Sequence, residues 1–214
     1  MDLSNCKNLI VFGGGFDPPH NAHVTLPTVV MRAVGADAVA YVPAAVVPLK
    51  RGVEPAPAKH RLAMLRLAVA DLPHAVVLTD EIDRAGDPPW RTPSYTVDTL
   101  EGLRDRLGDR VAMRLLIGAD QLQQFDQWRS AKRIIELAEP VVMLRPPQTR
   151  RALLTSLPRE YNADEWSARV VDVPQIDVSA TMVRRRVAKG EPIDDLVPAA
   201  VEQYIRQHRL YEQP

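Results

Sequence analysis

Short apolar runs alternate along the chain with longer stretches in which apolar residues recur every three or four positions. Residues 8–12, 38–42, 75–78, 113–117, 141–144 and 170–173 are rich in Val, Ile, Leu and Ala and are bounded by Gly, Pro or polar clusters. Runs this short and this apolar read as strands covered on both faces. Between them, Leu62, Leu65, Ala68 and Val69 share one face of a helix over 59–70. Leu100, Leu103 and Leu107 do the same over 97–107, and Ile134, Ile135 and Ala138 over 131–138. Strand–helix alternation of this kind predicts an α/β, doubly wound, mainly parallel sheet with right-handed crossovers. A small helical part closes the chain over about 179–211, where Val201, Tyr204, Ile205 and Leu210 form the last amphipathic face. Pro27 is awkward: the first helix either starts near Thr25 or is kinked there. Proline and glycine mark long loops at 43–57 and 84–93, a length that is uncommon inside a compact domain and often functional.

Length and composition narrow the class. At 214 residues the chain suits one domain with one substantial core. The 27 Lys and Arg balance 27 Asp and Glu, which argues against non-specific nucleic-acid binding but leaves room for a local basic pocket. Cys6 is the single cysteine, so no internal disulfide or Cys-based zinc site can form. The start Met1-Asp2-Leu3-Ser4-Asn5 lacks a basic, apolar leader, and no run approaches a membrane span. A reducing, cytoplasmic setting is the expectation. Oligomeric state is not legible, and a homodimer stays open.

The segment after the first strand carries the first candidate chemistry: Gly13-Gly14-Gly15-Phe16-Asp17-Pro18-Pro19-His20-Asn21-Ala22-His23. Consecutive glycines let backbone approach a ligand without Cβ obstruction, and free N–H groups at a helix start make an anion site. A flexible strand-to-helix turn would read the same. It is not the dinucleotide fingerprint of a dehydrogenase, whose third Gly falls on Pro18. His20 and His23, three apart at a helix start, project to the same side, where they can donate to non-bridging phosphate oxygens. A zinc pair is the weaker alternative, with no third ligand nearby in sequence.

A second anion site is legible near the C-terminus in Val178-Ser179-Ala180-Thr181-Met182-Val183-Arg184-Arg185-Arg186. Ser179 suits an N-cap, with the helix running to Lys189 and stopped by Gly190. Arg184, one turn on, can meet a phosphate as a planar multidentate donor. Arg185 and Arg186 read as a solvated basic face. Asp120, at the end of the fourth strand, lies where open α/β sheets bind ligands and suits a ribose hydroxyl or a water of Mg²⁺.

Together these motifs resemble the nucleotidyltransferase superfamily marked by His-x-Gly-His, and most closely the bacterial nicotinate-nucleotide adenylyltransferases. Gly13 to His23 is similar to that family's Gly-Gly-(Ser/Thr)-Phe-Asp-Pro-x-His-x-Gly-His, with Ala22 for the Gly and Pro19 for an aliphatic residue. Ser179 to Arg184 resembles its Ile-Ser-Ser-Thr-x-Ile-Arg, with Ala180 for the second Ser. Pro48-Leu49-Lys50 stands where the family has Pro-His-Lys. Pro93-Ser94-Tyr95-Thr96-Val97-Asp98-Thr99 and Gly118-Ala119-Asp120 followed by Trp128 complete the likeness, which spans almost the whole chain.

The resemblance implies an adenylyltransferase joining ATP and nicotinate mononucleotide into nicotinate adenine dinucleotide and pyrophosphate, with Mg²⁺ carried on the phosphates rather than by a protein metal site. It implies His20, His23, Lys50 and Arg184 as catalytic. ATP would meet Gly13, Gly14, Gly15, Phe16, His20, His23, Asp120, Ser179, Thr181 and Arg184. The mononucleotide would meet Gly14, Lys50, Thr96 and Trp128, with Thr96 also capping a helix and Trp128 stacking on the pyridine ring. Rival readings are a different phosphorylated acceptor, or a catalytically weak nucleotide-binding regulator suggested by Ala22 and Leu49.

Overall fold

The computed structural model describes residues 3–45, 55–85, 94–157 and 161–212. Six strands, β1 (Asn8–Gly14), β2 (Ala38–Pro43), β3 (Ala75–Val77), β4 (Ala112–Gly118), β5 (Glu139–Leu144) and β6 (Val170–Asp172), lie where the apolar runs predict them. They form one sheet in the order β3-β2-β1-β4-β5-β6, and every pairing is parallel. The strand order reverses between β1 and β4. In a doubly wound sheet the crevice outside the carboxyl ends at that reversal is where ligands bind.

The helices follow in chain order: α1 (Asn21–Ala33), α2 (Ala58–Ala68), α3 (Asp80–Ala85), α4 (Thr96–Leu107), α5 (Ala119–Leu122), α6 (Ala131–Leu137), α7 (Arg150–Thr155), α8 (Ala163–Ala168), α9 (Ala180–Ala188) and α10 (Ala199–Gln207). The two-residue alternation of the strands sends side chains into two cores. Leu9, Val11, Ala40, Leu115, Ile117 and Val142 meet Leu100 and Leu103 of α4, Ile134 of α6 and Trp166 of α8. Ile10, Phe12, Val39, Tyr41, Leu116 and Val141 meet Leu26 and Val30 of α1, Met64 and Leu65 of α2, Val183 of α9 and Ile205 of α10. Both faces of the sheet are thus covered, which is why its strands are apolar throughout rather than alternating.

Two sequence expectations change. Helix α1 neither starts late nor breaks at Pro27; it runs from Asn21 to Ala33 with Pro27 buried inside it. The missing N–H of Pro27 would have bonded the carbonyl of His23, one turn earlier. That carbonyl accepts instead from the hydroxyl of Tyr41 on β2, at 3.2 Å. The 84–93 loop also begins later than expected, because Arg84 and Ala85 end the short helix α3, whose first turn carries Asp80, Glu81 and Asp83. Most of both proline-rich loops lies outside the described residues.

Candidate active site

The carboxyl end of β1 leads directly into the glycine motif. Gly13 and Gly14 still belong to the strand, and neither has positive φ; the chain turns at Phe16, whose φ is 46°. This corrects the reading of the glycines as the turn itself. Gly14 is required for packing, since a Cβ there would stand 2.9 Å from Cζ of Phe16, whereas one on Gly13 would meet nothing within 4 Å. The Phe16 ring is buried against Phe12, His23 and Tyr41, with centroids 5.6, 5.1 and 6.2 Å away. Any nucleotide contact of Phe16 therefore runs through its backbone. Ala22 is also buried in this core, so the methyl that replaces the motif's Gly packs inward instead of crowding the crevice.

His20 is the N-cap of α1 and its ring stacks on His23 with centroids 3.7 Å apart and planes 18° from parallel. The backbone N–H of His20 donates to Nδ1 of His23 at 3.3 Å. Neutral His23 therefore carries its proton on Nε2, its outward donor. His20 is buried, and its Nδ1 has no hydrogen-bond partner among the described residues. Burial, helped by the nearby Arg145 guanidinium, lowers its pKa from 6.5 to about 4. At neutral pH His20 can offer an N–H but no charge, so the sharing of charge expected of both histidines does not extend to it.

The two distant motifs meet. Arg184 of α9 donates through Nη1 to the backbone carbonyl of Asp17 at 2.6 Å, and through Nη2 to Oγ1 of Thr181 at 3.2 Å. Its guanidinium also stands 3.8 Å from the Asp17 carboxylate. Ser179 caps α9 as expected, accepting from the Met182 amide at 3.1 Å. The start of α1 is pinned to the same C-terminal segment by Asn21, whose amide donates to the Leu196 carbonyl at 2.9 Å.

Asp120 stands at the mouth of the crevice after β4, 3.8 Å from the Arg145 guanidinium that follows β5. Its carboxylate folds back over Gly118, where a Cβ would come within 2.5 Å of Oδ1. On the far side, Thr96 is not a cap: Tyr95 is the N-cap of α4 and Thr96 its first helical residue. Trp128 is half-buried against the aromatic core, 5.3 Å from Phe125, and the neighbouring Arg129 guanidinium covers the Tyr95 ring at 4.7 Å. Lys50 lies outside the described residues. Among the described residues no group of three or more His, Cys, Asp or Glu could hold a metal, and no helix is long and apolar enough to cross a membrane.

Residues 11–186 match the cytidylyltransferase-like family model. A Roseiflexus protein named "Probable nicotinate-nucleotide adenylyltransferase" is 40% identical over 94% of this chain and 96% of its own length. A Bacillus pumilus protein of the same name is 34% identical over 96% of this chain and 99% of its own. The chain belongs to the nicotinate-nucleotide adenylyltransferases. The fold of this adenylyltransferase is similar to that of the Plasmodium falciparum nicotinic acid mononucleotide adenylyltransferase complexed with NaAD, with a TM-score of 0.68 and 16% identity over 97% of this chain and 98% of that one.

Three residues that the structure brings to this crevice escape the sequence reading. Asp17 is a hub: its Oδ1 accepts from the Tyr211 hydroxyl at 2.7 Å and from the Ala56 amide at 3.2 Å. Arg61 is buried and donates to the carbonyls of Gly15, Ala44, Ala45 and Ala56 at 2.6–3.1 Å. Arg145 faces Asp120 at 3.8 Å, and its charge helps to lower the His20 pKa. Asp17 stands inside the glycine–histidine motif without a role assigned to it, Arg145 is a cation directly after a strand, and buried Arg61 looks like any helix-surface arginine.

Proposed function

We propose that His20, His23, Arg184, Arg145 and the glycine backbone hold the triphosphate of ATP while a nicotinate mononucleotide phosphate, seated toward Thr96 and Trp128, attacks the α-phosphorus. The attacking oxygen forms the new P–O–P bridge, the bond to the β-phosphate breaks, and pyrophosphate leaves. The observation that carries this reading is the contact between Arg184 and Asp17, which joins the glycine–histidine turn and the hydroxyl–arginine helix at the strand-order reversal.

The acceptor phosphate is already anionic near neutral pH, so no strong base is needed and catalysis rests on positioning and charge stabilisation. His23 donates through Nε2, neutral His20 offers a second N–H, and Arg184 and Arg145 supply fixed charge. Lys50 would add a further cation on the acceptor side. A Mg²⁺ ion would be held on the phosphate oxygens, with Asp120 able to hold one of its waters. When bound, that ion screens the charge of the leaving pyrophosphate.

Pyrophosphate release with ATP and nicotinate mononucleotide tests the reading directly. His23→Ala should lower kcat by about 10²–10³, the scale of losing one preorganised donor, with the thermal midpoint nearly unchanged. Normal turnover in that variant would remove His23 from the chemistry. Faster turnover of the parent with another phosphorylated acceptor would move the reaction to that substrate.

A further inference from the structure

We infer that Glu81 is a positioning residue for the acceptor side of the site, holding the start of α4 against the strap that follows β2. Glu81 sits in α3, outside the crevice, and is 7% exposed. Its Oε1 accepts from the Thr99 hydroxyl at 3.0 Å, and Ser94 bonds the same carboxylate. The direction of each bond follows from the other partners. Arg84 donates to Oγ1 of Thr99 at 2.7 Å, and the Ala45 amide donates to Oγ of Ser94 at 3.1 Å. Guanidinium and amide have no acceptor to offer, so both hydroxyl protons turn toward Glu81.

A carboxylate accepts from both and presents a donor to neither. Burial pushes its pKa up, while the two hydroxyls and Arg84 pull it back. Ser94 and Thr99 bracket Tyr95 and Thr96, the segment that would meet the nicotinate ring. Ala45 in turn is held through its carbonyl by Arg61, which also holds Gly15. The bonds therefore run without a break from Gly15 to the first turn of α4, with Glu81 fastening the far end. A glutamine could accept one hydroxyl and would confront the other with an amide donor.

The inference rests on the proposed reaction, and pyrophosphate release by purified protein separates the two. With saturating ATP, Glu81→Gln should raise KM for nicotinate mononucleotide about tenfold, and KM for ATP by less than about twofold. Ser94→Ala should produce the same split, and the double variant should be little worse than either single one, because both cut the same chain of bonds. Equal shifts in both KM values, no shift, or multiplying effects would overturn the inference. If Glu81→Gln fails to fold, Ser94→Ala and Thr99→Val carry the same comparison. If the parent itself releases no pyrophosphate with this mononucleotide, the reaction assignment fails. Glu81 is then judged by hydrogen exchange in the Glu81→Gln protein: the Ala45 amide, held through Ser94, should exchange faster while the amides of β2 do not, and unchanged exchange would sink it.

Discussion

His20 enters the crevice as a buried, neutral ring, and that state has a measurable consequence. Unfolded, the ring titrates near 6.5; folded, burial and then Arg145 lower it to about 4. Between those values the unfolded chain binds a proton that the folded chain refuses. The folded state is therefore favoured fully above pH 6.5 and loses ground as pH falls toward 4. The loss attributable to this ring is on the order of 3 kcal/mol at most. Urea denaturation at pH 7.5 and pH 4.5 should show a larger acid loss in the parent than in His20→Asn. His60 and His74 are also lowered, with burial the leading cause in each, but they are present in both proteins and cancel in the difference. Equal acid losses would mean that the His20 ring is not sealed from water as the fold indicates. The sequence marked His20 and His23 correctly as a pair, since spacing alone sets their common side. It could not tell a charged ring from a neutral one, because burial depends on tertiary packing, such as the stacking of His20 on His23 and of His23 against Phe16.

At the scale of elements, legibility follows length and periodicity. The six strands and the helices α2, α4, α6 and α10 are visible because their apolar runs and spacings stand out, and α9 because Ser179 and Gly190 mark its two ends. Helices α3, α5, α7 and α8 have only four to six residues, too few for a helical period to register. Ser179 was readable as a cap, whereas Thr96 was not excluded as one, since a threonine before a helical pattern looks the same at the N-cap and at the first helical position. Helix α1 shows how a local violation is resolved from outside. Pro27 strips one bond from the helix, and Tyr41, fully buried on the neighbouring strand, supplies a hydroxyl to the freed His23 carbonyl. Burial raises the Tyr41 pKa, so the phenol stays a donor throughout the working pH range. Tyr41→Phe keeps the ring packing and removes only that donor. It should cost about 1 kcal/mol in urea denaturation, the net worth of one hydrogen bond to a half-buried carbonyl. A neutral substitution would show that the carbonyl is satisfied within the helix after all.

Across the whole molecule, the doubly wound sheet was legible from alternation alone, while the contacts that assemble its site were not. Tyr211 reaches Asp17 across 194 positions and Arg184 reaches it across 167, separations at which no periodic pattern survives. Arg61 does the same work at shorter range, gathering the carbonyls that follow β1, those that follow β2 and the one that precedes α2. These segments leave the sheet in different directions, and their carbonyls have no ladder partners there. A single planar guanidinium with several fixed donors satisfies them together, which an ammonium on a flexible stem cannot match. Arg61→Met should therefore destabilise the fold by about 4 kcal/mol, counting roughly 1 kcal/mol for each of the carbonyls of Gly15, Ala44, Ala45 and Ala56 that loses its donor. It should also shrink the protection given by ATP, which in the parent amounts to about 2.7 kcal/mol at a hundred times Kd. Arg61→Lys should fall between the two, recovering part of the stability but less of the ATP protection, because the charge is restored without the fork that aligns Gly15 with Ala44 and Ala45. Full recovery of both by lysine would mean that charge alone, not the shape of the donor array, holds the nucleotide end of the crevice in place.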